Sequence, residues 1–460
     1  MRVPPHVFRE YDIRGLVDED LRPDAVRAIG RAFATFMARA LALPTPTLAL
    51  GRDVRPSSGR LRDELADGMT AAGARVLDIG VVPTPVLYYA CQHLDTDGGV
   101  MITGSHNPAE YNGFKLNHRL LPLSGKEIQD VLRLIEADDF ATGEGASDAV
   151  EVTSSYCEMV AGRVELSRPL TVVLDSANAC GALFAADLLE RVGATVDRLY
   201  DTVDGTFPNH HPDPTVDAYV ADLKSRVIEI GADLGIGLDG DCDRIGAVDH
   251  TGRLIRGDQL TAIFARAQLE RTPGATILFD VKSSRALEED IRAHGGTPLM
   301  WKTGHSLAKQ KMLADSIPFG GEMSGHLFFF DDYFGFDDAI YAACRLCAII
   351  AGAGESLAAM VDTLHQYAAT PEIRVDTTEE KKWALVDAAR AHFGARYETV
   401  NLDGVRITFP AGWALLRASN TQPVVVVRAE GETVDDLERI TAELQAFLST
   451  EGISDVSWTS

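Results

Sequence analysis

Thr276-Ile-Leu-Phe-Asp-Val-Lys-Ser-Ser-Arg-Ala-Leu-Glu-Glu-Asp-Ile-Arg-Ala-His-Gly-Gly-Thr-Pro-Leu-Met-Trp301 reads as strand, helix and strand. The apolar run 276–279 suits a strand buried on both faces, and residues from about 284 to 294 carry apolar positions at helical spacing. Gly295-Gly296 then supplies the left-handed turn that ends a helix before the strand 297–301. The same order occurs twice upstream. Pro46-Thr-Leu-Ala-Leu50 precedes a helix at about 57–72, Gly73 and the strand Arg75-Val-Leu-Asp-Ile79. Thr171-Val-Val-Leu174 precedes a helix from about 181 to 191, Gly193 and the strand Ala194-Thr-Val-Asp-Arg-Leu-Tyr200. The capping glycines 73, 193 and 295 lie 120 and 102 residues apart, a domain-sized interval, so the chain is predicted to repeat a βαβ unit three times.

The last 90 or so residues have another grammar. A helical stretch around 379–391 is followed by short strands at 397–402, 404–409 and 424–428 and a helix at 434–448, which predicts an α+β domain with an antiparallel sheet. The expected fold is α/β: three tandem similar domains with mixed sheets at 1–150, 151–253 and 254–367, and a C-terminal α+β domain at 368–460. At 460 residues the chain exceeds what one core supports. Its 43 Lys and Arg against 68 Asp and Glu give a net charge of −25, which argues against nucleic acid or an anionic membrane as partner. A small anionic substrate requires basic residues to converge locally. The amino terminus lacks the apolar stretch of a signal peptide, and residues 339–351 are too short for a membrane span. Cys344-x-x-Cys347 lies in that apolar stretch with no second pair, so core packing is expected for it, and a reducing cytoplasm fits the six scattered cysteines.

Four polar loops carry chemistry. Thr103-Gly-Ser-His-Asn-Pro108 follows the apolar strand 99–102 and exposes one hydroxyl, Ser105, where an ordinary Ser-Asn-Pro turn would only cap. Asp239-Gly-Asp-Cys-Asp-Arg244 follows Leu234-Gly-Ile-Gly-Leu238, and its three carboxylates at i, i+2 and i+4 repel one another unless a hard cation, best Mg²⁺, sits among them. An acidic surface turn is the plain alternative. Gly321-Glu-Met-Ser-Gly-His326 offers Glu322, Ser324 and His326 to a polyol, and Lys302-Thr-Gly-His305 and Val281-Lys282 end neighbouring strands. Arg417-Ala-Ser-Asn-Thr-Gln-Pro423 supplies a planar fork beside small donors, which suits phosphate. Phe8-Arg-Glu-Tyr-Asp-Ile-Arg14-Gly15 reads as an edge strand, with Tyr11 and Arg14 of interest because phosphate needs cations.

These loops, in this order and over essentially the whole chain, resemble those of the α-D-phosphohexomutases, most closely the bacterial phosphomannomutase/phosphoglucomutase branch. The resemblance implies four domains around a central cleft. It implies that Ser105 is a phosphoserine, and that Asp239, Asp241, Asp243 and the Ser105 phosphate hold Mg²⁺. Arg244, Lys115, from Tyr111-Asn-Gly-Phe-Lys115, and His106 would surround the transferring phosphate. Glu322 and Ser324 would grip sugar hydroxyls, with His305 and His326 as proton shuttles and Tyr11, Arg14 and Lys282 lining the cleft. Arg417, Ser419, Asn420, Thr421 and Arg428 would hold the phosphate that is not moving. The implied reaction moves phosphoryl between the 1- and 6-positions of mannose or glucose phosphates through a hexose 1,6-bisphosphate. Two departures stand out: Cys242 where Gly is common, and Gln422 where a second Thr is common. Rival readings are a phosphoglucosamine mutase, which usually differs at the position of Met323, a Mg²⁺-dependent phosphatase with an aspartate nucleophile, and a silent sugar-phosphate-binding paralogue.

Overall fold

The computed structural model describes residues 3–419, 423–453 and 456–458. Three successive sheets share one core order. In the first, Thr47–Arg52 runs parallel to both Arg75–Val81 and Gly98–Ile102, and Gly98–Ile102 turns back antiparallel into Tyr111–His118. In the second, Leu170–Asp175 is parallel to Ala194–Leu199 and Leu234–Leu238, and the latter turns back into Ile245–Asp249. In the third, Thr276–Asp280 is parallel to Thr297–Trp301 and Phe319–Gly321, which turns back into Leu327–Phe329. The βαβ repeat expected from the sequence is present. Its capping glycines adopt the left-handed backbone it requires, with φ of 95° at Gly73, 112° at Gly193 and 77° at Gly295. The repeat extends further than the sequence suggested, because each unit adds a third parallel strand and a reversed fourth. Leu254–Ile255 pairs with Ala247 and Val248, so the second sheet runs past the boundary expected at 253. The helix expected from about 181 to 191 is split into a tight turn at Cys180–Leu183 and a helix at Ala185–Arg191.

The C-terminal sheet is antiparallel as expected, but one strand was not foreseen. Gly412–Ala418 pairs with Val405–Phe409 on one side and Val424–Gly431 on the other. Arg417 is therefore a strand residue rather than a loop residue, its side chain fixed by the pleat. This domain has its own core around Leu385, Phe393, Leu416, Val427 and Leu444, whereas one continuous apolar cluster runs from the first repeat through the second and third. The fourth domain meets the third through a small patch formed by Val281, Trp413 and Leu415 and through polar contacts. Among the described residues no helix is long and apolar enough to cross a membrane.

The buried helix Ala339–Ala353 starts at Asp338, whose carboxylate accepts from the Tyr341 N–H at 2.8 Å and from the Tyr333 and Tyr156 hydroxyls at 2.6 and 2.8 Å. Tyr156 comes from the helix Thr153–Ala161, so the cap also ties second repeat to third. Burial pushes the Asp338 carboxyl up, and these donors pull it back only to about 6. An acid raised in the folded state contributes stability below its unfolded value of about 3.9 and loses it as pH rises through the folded value. Asp338→Asn, which keeps an acceptor oxygen, is expected to gain on the parent by about 1–2 kcal/mol between roughly pH 5 and pH 8. Calorimetric unfolding of both proteins across that range tests it, and a constant difference would refute it.

Candidate active site

Three of the four expected loops occupy the same topological place. Residues 103–110, 239–244 and 322–326 each join the third strand of a repeat to its reversed fourth, at the strand end where open α/β sheets receive ligands. They face one cleft of about 1530 Å³. Ser105 is buried and holds a left-handed φ of 48°, unusual for a residue with a Cβ. Its N–H donates to Thr103 Oγ1 at 2.8 Å, and its Oγ donates to Asp239 Oδ2 at 2.9 Å with His106 Nδ1 at 3.2 Å. Burial, then the charges of Arg244, Arg14 and Lys115, hold the His106 imidazole well below its usual range. Arg14 donates to Asn107 Oδ1 at 2.7 Å and to Asp12 at 2.6 Å, which brings the edge strand Ile13–Leu16 to the serine loop.

The three aspartates converge: one carboxylate oxygen from each of Asp239, Asp241 and Asp243 lies within 4.8 Å of the others, and all three residues are buried. Asp239 Oδ1 accepts from the N–H groups of Asp243 and Arg244 at 3.0 and 3.1 Å, which closes the loop. Asp241 Oδ2 accepts from Thr84 Oγ1 at 2.5 Å and Lys115 Nζ at 2.6 Å, and Lys115 also bonds Asp243. Oδ1 of Asp241 and Oδ1 of Asp243 are buried with no hydrogen-bond partner. Spare, hard, anionic oxygens around one point are what a divalent cation of the Mg²⁺ class takes, so the residues present fit a metal. Cys242 has φ of 60°, the conformation that glycine adopts freely, which accounts for the glycine common at this place in the family it resembles.

Across the cleft, Glu322 Oε1 accepts from Gly304 N–H at 2.6 Å and Ser324 Oγ donates to Oε2 at 3.2 Å. Gly304 sits at φ of 132° with the Tyr11 ring against it, and a Cβ there would lie 2.5 Å from the ring. Tyr11 Oη donates to the carbonyl of Thr303 at 2.9 Å, joining first domain to third. His305 and His326 stack with centroids 5.5 Å apart. Arg244 Nε donates to His326 Nε2 at 3.1 Å, which leaves the imidazole proton on Nδ1, 3.0 Å from Asp337 Oδ2. Burial alone would raise the Asp337 carboxyl, but Lys309 at 2.7 Å, with His326 and His305, holds it well below the carboxylate range. Burial and Lys309 push His305 well below the usual imidazole range. Asp337 and Lys309 were not singled out in the sequence, where Asp337-Asp338 ahead of an apolar run reads only as a helix cap.

From the fourth domain come Arg417, bonded to Asp403 at 3.0 Å, and Arg428, bonded to the Lys282 carbonyl. Lys282 Nζ donates to Glu372 Oε2 at 2.9 Å, and Lys282 first, against burial, holds Glu372 down to about 2. Ser419 lines the same cleft, while Asn420 and Thr421, with Gln422, lie outside the described residues. The convergence required by an acidic chain is met: Arg14, Lys115, Arg244, Lys282, Arg417 and Arg428 all line one cavity.

A serine turned toward a metal-capable carboxylate cluster, in a cation-lined cleft shared by four sheets, defines the class: an enzyme acting on phosphorylated polyols. The chain matches phosphoglucomutase/phosphomannomutase α/β/α domain I over residues 5–142, domain II over 154–252, domain III over 256–367 and the C-terminal domain over 372–446. It is 43% identical over 440 residues to the phosphomannomutase/phosphoglucomutase of Pseudomonas aeruginosa, covering 95% of this chain and 94% of that one. It is 40% identical over 449 residues to the phosphoglucomutase of Neisseria gonorrhoeae, covering 96% and 97%. A crystal structure of a phosphoglucomutase/phosphomannomutase family protein from Burkholderia thailandensis superposes with a TM-score of 0.92 at 38% identity, covering 99% of both chains. The chain belongs to the phosphoglucomutase/phosphomannomutase family, the α-D-phosphohexomutases.

Proposed function

We propose that this chain is a phosphohexomutase that moves a phosphoryl group between the 1- and 6-positions of glucose or mannose phosphates, with phosphorylated Ser105 as the relay. The observation that carries the reading is the Ser105 hydroxyl held 2.9 Å from Asp239 at the wall of a cleft lined by Arg14, Lys115, Arg244, Lys282, Arg417 and Arg428 among other residues. The substrate's standing phosphate binds Arg417, Ser419, Asn420, Thr421 and Arg428, and Glu322 and Ser324 orient the ring hydroxyls. The free sugar hydroxyl attacks the phosphorus: a sugar O–P bond forms, the Ser105 Oγ–P bond breaks, and the proton lost by the sugar is regained at Oγ. The resulting hexose 1,6-bisphosphate turns over and returns its other phosphate to Ser105. His326 is the first acceptor of the sugar proton, at Nε2 once Arg244 turns to the phosphate, and it gives a proton up to solvent as Oγ regains one; Asp337 Oδ2 lies 3.0 Å from its Nδ1. Lys115, Arg14 and neutral His106 surround the transferring group, while His305, Tyr11 and Lys282 shape the ring pocket. Mg²⁺ held by Asp239, Asp241, Asp243 and the Ser105 phosphate would supply charge neutralisation at the transferring group. A phosphatase with an aspartate nucleophile would have no use for Ser105. Parallel coupled assays with glucose 1-phosphate, mannose 1-phosphate and glucosamine 1-phosphate test the reading. Turnover of only the glucosamine compound would overturn the hexose assignment.

Arg417 provides a test of binding apart from chemistry. Removing its charge-assisted contact is expected to cost about 1.5–3 kcal/mol, or roughly 10- to 150-fold in kcat/KM, in both reaction directions. Ser105 phosphorylation should survive Arg417→Ala, because the residue stands on a different domain from the serine loop. Unchanged kinetics in either direction would remove the fourth domain from substrate binding.

A further inference from the structure

We propose that Arg55 is the positioning residue of the phosphoryl-bearing loop, acting through the backbone of residues 105–111 and never on substrate; this rests on Ser105 being the relay. Arg55 follows the strand Thr47–Arg52, and its side chain has no solvent exposure. Nη2 donates to the carbonyls of Ser105 and Asn107 at 2.8 and 2.6 Å, and Nη1 to those of Pro108 and Tyr111 at 2.6 and 3.0 Å. Nε donates to Asp53 Oδ2 at 3.1 Å. All five guanidinium N–H groups are thus spent, three of them on the serine loop and one on Tyr111, where the next strand begins. The same Asp53 oxygen accepts from the Gly104 N–H at 3.2 Å, and its other oxygen accepts from Ser58 Oγ at 2.5 Å.

The packing around the guanidinium leaves it no other task. The Phe207 ring covers it at 5.0 Å, and a Cβ on Gly104 would come within 2.6 Å of its central carbon. Burying a guanidinium costs free energy, and here burial lowers its affinity for a proton against the pull of Asp53. The loop, for its part, has few bonds of its own: Ser105 N–H to Thr103 Oγ1 at 2.8 Å, Asn107 N–H to Gly104 O at 3.0 Å and Tyr111 N–H to Pro108 O at 3.1 Å. Ser105 nevertheless holds φ of 48°, a strained setting that aims Oγ at Asp239. Four carbonyls wound onto one planar fork over-determine that setting. The cation also lies behind the carbonyl of the residue that is to carry a dianion. A lysine keeps the charge but replaces the fork with a point donor.

The test uses the full-length parent, Arg55→Lys and Arg55→Met, each charged with glucose 1,6-bisphosphate. Single-turnover transfer from the phosphoenzyme to glucose 1-phosphate is followed by rapid quench, with thermal unfolding and amide exchange over 103–111 measured alongside. Misplacing the reacting phosphoryl by a fraction of an ångström is expected to slow transfer per phosphorylated molecule by about 10²-fold in Arg55→Met and by less in Arg55→Lys. KM should stay within about threefold, and faster exchange should be confined to the loop. Transfer at the parental rate, or a loss that follows the folded fraction alone, would overturn the proposal. Should neither variant fold, Asp53→Asn carries the same test with roughly a 10-fold slowing expected, and parental transfer there would overturn it equally. A parent that carries no phosphate on Ser105 refutes the relay reading itself, and a parent that transfers beside variants that do also refutes only the role of Arg55.

Discussion

Ser105→Ala is expected to yield a folded protein that transfers no phosphoryl group, with turnover reduced by roughly 10³-fold or more. The fold should hold because the substitution deletes one oxygen. Asp239 Oδ1 keeps its two backbone donors, and alanine meets the same left-handed backbone that serine already tolerates. The chemistry should fail because the substitution removes the accepting oxygen, while the Ser324 and Thr84 hydroxyls are committed to Glu322 and Asp241. Intact mass should show a phosphorylated fraction in the parent, discharged by substrate and missing from the variant. A fully active Ser105→Ala protein would end the covalent mechanism.

Asp241→Asn carries the second large effect. Asn is isosteric and keeps an oxygen for Thr84, so the loop should stay intact, but one negative charge leaves a cluster that already holds two unpartnered carboxylate oxygens. Lys115, bonded to both Asp241 and Asp243, would lean on the remaining acid and compete with the cation for it. Phosphoryl transfer is expected to fall by at least about 10²-fold with little change in the melting temperature. In the parent, chelator should remove activity and Mg²⁺ should restore it. Activity that persists in excess chelator would refute the metal assignment.

Much of the site was legible because its parts are local. A serine loop, an acidic loop and a Glu-x-Ser-x-His loop each fit within six residues and are weak signals singly, but together they point to one chemistry, and the structure puts each at the end of an apolar strand on the ligand edge. What escaped were residues whose meaning depends on distant partners. Arg55 had a faint signal: Gly51-Arg-Asp-Val-Arg55 follows the first strand, on the ligand edge, although its partners lie about 50 residues away. Asp337 had none, since a pair of acids before an apolar helix is an ordinary cap. Arg417 was expected to bind phosphate from a loop, and the structure puts it on the strand Gly412–Ala418, whose apolar run lies between the turn formers Pro410 and Ser419.

The sequence by itself determined the βαβ repeat, the distinct last domain and the residue types of the four loops. Hydrophobic periodicity and glycine caps act over a few residues and need no knowledge of the rest of the chain. The tertiary structure alone decided that three of those loops are the same turn in three copies of one sheet, so that Ser105, Asp243 and Glu322 face a common cleft. It also decided where the cations go. A chain with net charge −25 gives no hint of a cavity in which Lys and Arg match Asp and Glu in number, because acids dominate the sum, and only folding brings arginines and lysines from all four domains to one cleft.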